Sequence, residues 1–435
     1  MNIFIETLGC PKNFNDSQVA AGILEDAGHR ITGDPEAADA IMINTCGFIN
    51  DAKTESIDRI FEMADPKKLI IVSGCLTQRY GEELYKEMPE VDIFLGVNDY
   101  EKLPEILAGH RTGYREKYLS PYDHEMETPL RKLSEDPYTA TIKIAEGCNN
   151  RCTYCAIPLI RGPYRSRPKE KIIREAERLA AAGTKELILI AQDTTAWGID
   201  IYGEYRLSQL VRDLCRVDGI QWIRLMYCYE DRITDDLIKT IAEEPKVCHY
   251  LDIPLQHGSD NVLAAMDRRS TRSSIENTVK KLRAAIPDIH IRTTLITGFP
   301  GETEEDFDML LDMVEKLRFQ RLGVFAYSEE EGTAAAGMPG QIDENIREER
   351  KDAVMRRQLD ISLQINKEKI GSRQTVLLEE RDDTGAWLGR TQYDAPEIDC
   401  MAIVETAEDH KAGDMISVII EDAFDYDLTG KEIKE

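Results

Sequence analysis

Cys148, Cys152 and Cys155 stand in the segment EGCNNRCTYC, a C-x3-C-x2-C triplet. Three thiolates at these gaps can wrap one corner of an iron–sulfur cluster. A four-iron cluster held by three cysteines keeps one iron open to an exchangeable ligand, which suits chemistry better than a purely structural role. Zinc is the alternative, because Cys152 and Cys155 alone form a C-x2-C pair. A zinc site needs a fourth ligand, usually a second such pair or a histidine. No histidine lies within twenty residues of the triplet on either side.

A second set is dispersed through residues 1–110. Cys10 follows NIFIETLG, Cys46 follows AIMINT and Cys75 follows LIIVSG. Each ends a short apolar run and precedes a polar, helix-like stretch, with helices expected over about 15–28, 50–64 and 77–87. Strands alternating with helices imply a doubly wound parallel sheet, whose ligands bind at the carboxyl ends of the strands. The spacing therefore predicts all three thiols on one sheet edge, although 36 and 29 residues separate them. Gly9, Gly47 and Gly74 flank them and permit close backbone approach. A second three-cysteine cluster is the functional reading, and buried structural thiols are the alternative.

The elements that must position the triplet are apolar strands at about 139–145, 186–191, 221–226, 249–253, 289–296 and 322–327, alternating with helical patterns. Six such units fit a partial (β/α)6 barrel, with its site at the carboxyl ends of the strands. Polar groups at those ends are candidate contacts: Gln192 in AQDT, Gln256 beside His257, and Gly298 in TGFPGE. Each could equally cap a helix. His257 is read as a hydrogen-bonding residue, with no catalytic role assigned. Arg161, Arg165 and Arg167 make a local basic spot that suits a carboxylate or simply pairs with acidic neighbours. Residues 343–370 read as a long helix with Val354, Ile361 and Ile365 on one stripe, stopped near Gly371. The short β-like runs beyond it fit a small antiparallel five-stranded barrel. Cys215, Cys228, Cys248 and Cys400 match no cluster spacing and are read as free thiols.

Bulk properties bound the function. A chain of 435 residues, 42% apolar, accommodates about three domains. No basic, apolar leader opens it and its longest apolar runs are strand-sized, so neither secretion nor a membrane span is expected. Ten cysteines spread over such a chain fit reduced thiols in the cytoplasm. A net charge of −27 repels phosphate backbones and favours a basic protein partner, although plain solubility also explains it.

The triplet, with Tyr154 between its last two cysteines, resembles the radical S-adenosylmethionine (SAM) enzymes. With the second cysteine set, the whole chain resembles the methylthiotransferases of that superfamily, through LGCPKNFNDSQ, NTCGFINDAKTES, VSGCLTQRY, EGCNNRCTYCAIPLIRGPYRSRP, DIPLQHGSDNVLAAMDRR and ITGFPGETEEDF. The resemblance implies a cluster domain (1–112), a linker (113–133), a radical SAM core with its trailing helix (134–370) and a TRAM barrel (371–435). It implies two [4Fe-4S] clusters, one on Cys148, Cys152 and Cys155 and one on Cys10, Cys46 and Cys75. It implies SAM held near Tyr154, Gln192, Gln256 and Gly298, and no catalytic side chain beyond the cluster ligands. One branch of the family modifies an adenosine of transfer RNA. The other places a methylthio group on the β-carbon of an aspartate in ribosomal protein S-twelve. GRTQYDAPEID (389–399), LGCPKN and NTCGFI look like the second branch. Residues 366–435 carry 8 Lys and Arg against 18 Asp and Glu, a poor RNA clamp and a reasonable dock for a basic protein. The partners implied are that ribosomal protein and an electron donor such as flavodoxin or ferredoxin, with no membrane and no nucleic acid as direct substrate. A non-catalytic iron–sulfur redox protein is the remaining alternative.

Overall fold

The computed structural model describes residues 1–122, 130–133 and 137–434. The first six strands, β1 (Asn2–Thr7), β2 (Arg30–Thr32), β3 (Ala40–Thr45), β4 (Leu69–Gly74), β5 (Ile93–Leu95) and β6 (Glu116–Tyr118), form one parallel sheet in the order β2-β1-β3-β4-β5-β6. Alternation along the central strands explains why both faces are covered. Ala40, Met42 and Ile71 pack on the helices Pro11–Asp26 and Leu103–Gly109. Ile41, Ile43, Ile70 and Val72 pack on Asn50–Met63 and Cys75–Glu87. The sheet is doubly wound, with its switch between β1 and β3. It runs on to Tyr118, inside the stretch expected as linker, and the rest of that stretch lies partly outside the described residues.

The second sheet is built from β7 (Thr139–Lys143), β10 (Glu186–Ile190), β11 (Trp222–Leu225), β12 (Val247–Asp252), β13 (His290–Thr297) and β14 (Arg321–Ala326), parallel and in that order. It is open between β7 and β14, as expected of a six-unit partial barrel. Between β7 and β10, the two-residue strands β8 (Ala145–Glu146) and β9 (Arg165–Ser166) pair antiparallel and bracket the cysteine triplet. Leu187, Leu189, Ile223 and Leu225 face the surrounding helices. Ile188, Ile190, Trp222, Met226 and Tyr250 face inward, where Leu377 and Ala395 of the carboxy-terminal barrel cover them. The helix Glu344–Lys367 buries Val354, Ile361 and Ile365 against the main core, as its stripe predicts.

The last domain is a closed barrel of β15 (Arg373–Arg381), β16 (Trp387–Thr391), β17 (Ala402–Glu405), β18 (Met415–Ala423) and β19 (Leu428–Glu432). Four of its pairings are antiparallel, and β17 runs parallel to β19. A ring of five strands cannot alternate direction all the way round, so one parallel contact is unavoidable. Ion pairs fasten this barrel to the central sheet. Glu186, fully buried, accepts from Arg224 (2.8 Å) and Arg390 (2.7 Å), while Asp394 pairs with Arg321. The Tyr393 hydroxyl donates to Asp288 at 2.7 Å, and Asp399 accepts from Tyr250 at 2.7 Å. Most of GRTQYDAPEID is therefore an internal clamp, and only Glu397 and Ile398 within it are exposed. All ten cysteines are free thiols, with Cys228, Cys248 and Cys400 buried and Cys215 half-buried.

Candidate active site

The three amino-terminal thiols sit at the carboxyl ends of β1, β3 and β4. Cys10 is the extended residue before the helix Pro11–Asp26, which starts four residues earlier than expected. Pro11 explains the early start, since proline's fixed φ suits a first helical position. Cys46 follows β3 directly, and Cys75 opens the helix Cys75–Glu87. The strand ends are pressed together: a Cβ on Gly9 (φ +91°) would lie 2.8 Å from Cys46 Cβ. Asn13 ties the edge together, its amide donating to the carbonyls of Leu8 (2.9 Å) and Thr45 (3.0 Å). Burial pushes the Cys46 thiol up to about 12, and neighbouring Cys75 pushes it the same way. Burial also raises Cys75, against the pull of the Arg161 guanidinium.

The central thiols lie on the loop that leaves β8. Gly147 (φ +77°) admits the turn, since a Cβ there would meet the Pro163 carbonyl oxygen at 2.1 Å. The Cys148 N–H donates to Gly162 O (3.0 Å) and the Cys155 N–H to Cys152 O (3.0 Å). Polar groups surround the sulfurs. The Asn150 amide lies 3.4 Å from Cys148 Sγ and 2.9 Å from Asp193 Oδ2, and Cys152 Sγ is 2.7 Å from the Tyr229 hydroxyl. Arg268 stacks over Tyr229 at 4.1 Å. Burial raises the Cys148 and Cys155 thiols, so a cationic centre is needed to draw off their protons. Among the described residues no group of three or more His, Cys, Asp or Glu is arranged to hold a metal ion, the two cysteine sets included.

The residues expected to contact SAM lie in this loop and at the strand ends. Tyr154 packs with Phe299, Val262 and Met266, which brings the triplet against the TGFP turn. Gln192, at the end of β10, donates to Glu146 at 2.6 Å, and its buried Oε1 has no partner. Gln256 holds a left-handed backbone (φ +74°) and exchanges backbone hydrogen bonds with Thr294 and Ile296. Gly298 (φ +70°) makes room for Arg347, whose Cγ would stand 2.3 Å from a Cβ there, and its N–H donates to Glu302. His257 Nδ1 accepts from the Ser259 N–H (3.0 Å), while Nε2 lies 3.3 Å from Glu302 without making a hydrogen bond to it. Soft thiol donors in two sets of three, and an unmatched acceptor at Gln192, fit iron–sulfur ligation and an ammonium-bearing cofactor.

A buried ionic junction joins the two thiol sets. Arg161 donates to Asp16 (2.7 Å), Asn13 (2.9 Å), Cys75 Sγ (3.1 Å) and Glu146 (3.3 Å). Lys143 pairs with Asp16 and Glu146. Burial opposes ionisation of Glu146, but Lys143 and Arg161 hold it down at about 2. Cys75 also packs on Ala156, the residue after Cys155, and on Ile160. Of the basic spot, Arg161 and Arg167 are spent on Asp16, Glu146 and Glu175, while Arg165 donates to Tyr122 O. Lys143, Glu146, Asn150, Tyr229 and Arg268 were not singled out from the sequence. Only Glu146 had a signal there, its place in EGC beside Cys148. A groove of about 500 Å³ opens beside the junction, walled by Phe14 of the first domain, Tyr227 of the second, and Glu380, Glu397 and Ile398 of the third.

Comparisons with known proteins agree with this architecture. Residues 2–96 match the uncharacterized protein family UPF0004, residues 142–314 the radical SAM superfamily and residues 370–433 the TRAM domain. Among solved structures, the radical SAM methyltransferase TsrM from Kitasatospora setae shares the fold at TM-score 0.56 and 14% identity, over 74% of this chain and 72% of that one. Parallel sheet, triplet loop and fold define a radical SAM enzyme. The ribosomal protein uS12 methylthiotransferase RimO of Clostridioides difficile (strain 630) is 46% identical over 100% of this chain and 99% of its own length. The RimO protein of Geobacter sulfurreducens is 48% identical over 98% and 97%. This chain belongs to the RimO family.

Proposed function

We propose that this chain is a sulfur-group transferase that places a methylthio group on the β-carbon of an aspartate in ribosomal protein uS12. Kinship along the full length to the RimO relatives supports the reading. The observation that carries its mechanism is the buried cluster of Cys75, Ala156 and Ile160, which packs the strand end carrying Cys75 against the segment that follows Cys155. Cys148, Cys152 and Cys155 would hold one [4Fe-4S] cluster, and Cys10, Cys46 and Cys75 a second. When bound, the clusters and SAM supply the radical that removes hydrogen and the sulfur that replaces it. The chain's own residues bind, orient and exclude water. Tyr154, Gln192, Gln256 and the Gly298 turn frame SAM at the strand ends, with the free Gln192 Oε1 available to an ammonium proton. Arg161, Lys143, Asp16 and Glu146 lock the domains in register, which keeps both thiol sets on one space. No side-chain base is needed. No helix of the described residues is long and apolar enough to cross a membrane. The enzyme would act in the cytoplasm, with reducing equivalents from a small carrier such as flavodoxin or ferredoxin.

The test incubates reconstituted enzyme with SAM, a reductant and either uS12 or transfer RNA. Digestion and mass spectrometry are expected to find one methylthio increment on an aspartate-containing peptide of uS12 and none on adenosine. The reverse pattern would transfer the chain to the RNA-modifying branch. SAM that stays intact in the presence of reduced protein would favour a redox carrier.

A further inference from the structure

Lys12 stands in the first turn of the helix Pro11–Asp26, two residues beyond Cys10, and is only 8% exposed. Its Nζ lies 3.3 Å from the centroid of the Tyr227 ring. Among the described residues no oxygen accepts a proton from it and no carboxylate pairs with it. That is unusual in a chain with 81 acidic and 54 basic residues. The opposing charge that acts most strongly on it is the Cys10 sulfur, two residues away, and the nearby carboxylates are committed elsewhere. Glu146 is held by Lys143, Arg161 and Gln192, and Asp16 by Lys143 and Arg161. Asp252 takes the Tyr227 N–H at 3.0 Å and faces Arg292 at 3.5 Å. An ammonium with no carboxylate or carbonyl partner is only partly compensated by an aromatic face and a neighbouring sulfur. An incoming anion would offset the rest.

The location says which anion. Tyr227 follows β11 in a left-handed conformation (φ +59°), and its carbonyl accepts from the Thr194 N–H at 3.0 Å. The ring is thereby fixed at the carboxyl edge of the central sheet, facing the helix that Cys10 begins. Pro11, Phe14 and Tyr227 are also one end of the groove that continues to Glu397 and Ile398. Lys12 does not itself line the groove, but its chain neighbour Pro11 and its ring partner Tyr227 do, so a peptide loop lying there passes next to it. The helix start adds to the field, since the first-turn N–H groups carry partial positive charge.

We propose that Lys12, seated on Tyr227, is the specificity-determining residue that receives the side-chain carboxylate of the target aspartate. This rests on the uS12 reading above. The carboxylate accepts from the ammonium, and the contact places the adjacent β-carbon between the two thiol sets. A neutral side chain of the same shape leaves the ammonium without its counter-charge.

The experiment compares holoenzymes acting on uS12 and on uS12 whose target aspartate is replaced by asparagine. Wild type is expected to prefer the aspartate protein by about 10- to 100-fold in kcat/KM, the range of one charge-assisted hydrogen bond. In Lys12→Met that preference collapses, because turnover of the aspartate protein falls to the level of the asparagine protein. Lys12→Gln behaves the same way, and Lys12→Arg recovers part of the preference. Iron per chain stays at the wild-type value in all three. An undiminished aspartate preference in Lys12→Met and Lys12→Gln overturns the inference. So does iron loss in both, which assigns Lys12 to support of the cluster. A wild-type holoenzyme that leaves uS12 unmodified overturns the functional reading itself, and is seen before any variant is compared.

Discussion

Arg161 divides one buried guanidinium among Asp16, Glu146, Asn13 and the Cys75 sulfur. Its loss leaves two buried carboxylates with Lys143 as their only cation, Glu146 keeping its Gln192 hydrogen bond. Arg161→Met is expected to destabilise the protein by about 3–5 kcal/mol, the usual cost of breaking one side of a buried ion pair. Thermal denaturation measures it, and an unchanged midpoint would show that Lys143 suffices. The cysteines allow a cleaner division of labour. Two clusters, as proposed above, would imply about eight irons per chain. Replacing Cys148, Cys152 and Cys155 by Ala should remove about half of them and abolish formation of 5′-deoxyadenosine. Replacing Cys10, Cys46 and Cys75 should remove the other half and end methylthio transfer while SAM cleavage continues. Iron assay and chromatography of the nucleoside products decide both, and full iron retention in either triple variant would remove that site. The triplet was legible from residue types because its three cysteines lie within eight residues, so local gaps constrain them. The Arg161 contacts were not legible: they join positions 145 and 86 residues apart, and many other acids were available to pair.

At the scale of elements, the loop between β8 and β9 depends on one backbone conformation. Gly147→Ala would put its Cβ 2.1 Å from a backbone carbonyl oxygen, far inside contact distance, at a φ that side chains resist. A strain of about 1–3 kcal/mol is expected, released by shifting the loop. The readout is iron per chain, which should fall while circular dichroism stays native. A second element-level device is the clamp between β10, β11 and β16. Burial raises the Glu186 carboxyl, but Arg390 and Arg224 outweigh it and hold it at about 2, below its ordinary 4.5. A depressed carboxyl contributes stability that is present above pH 4.5 and lost as pH falls through 4.5 toward 2. Acid titration followed by Trp fluorescence is expected to show this loss in wild type. In Glu186→Gln the acid transition should be shallower and stability at neutral pH lower, because Arg224 and Arg390 lose their shared acceptor. Equal acid profiles would show that Glu186 does not couple barrel to sheet. The strands themselves were legible through alternation. The start of the first helix at Pro11 was misjudged because periodicity begins later than the proline that initiates it.

At the scale of the whole molecule, three domains wall one groove, and its exposed rim carries Glu380 and Glu397 beside Ile398. The barrel's charge agrees with a basic occupant. Glu380→Lys with Glu397→Lys is expected to slow association with uS12 several-fold at low salt, with the difference closing as ionic strength rises, because rim charges act on encounter and are screened. Stopped-flow rates over a salt series measure this. Identical rates at every ionic strength would place docking elsewhere. These residues suit the test better than Asp382, whose carboxylate accepts from the N–H groups of Thr384 and Ala386 and shapes its own turn.

The amino-acid sequence by itself determined the two thiol sets, the three domains in their order and the strands that carry them. Ligand gaps, alternation and composition are local properties, and they survive without knowledge of neighbours in space. Tertiary structure alone decided that the two thiol sets abut through Cys75 and Ala156. It also decided that GRTQYDAPEID serves mainly as an internal clamp, and that Lys12 is left over Tyr227 without a carboxylate partner. Each of these is a choice among many possible long-range partners. Packing geometry makes that choice, since only the assembled sheets determine which side chains share a buried space.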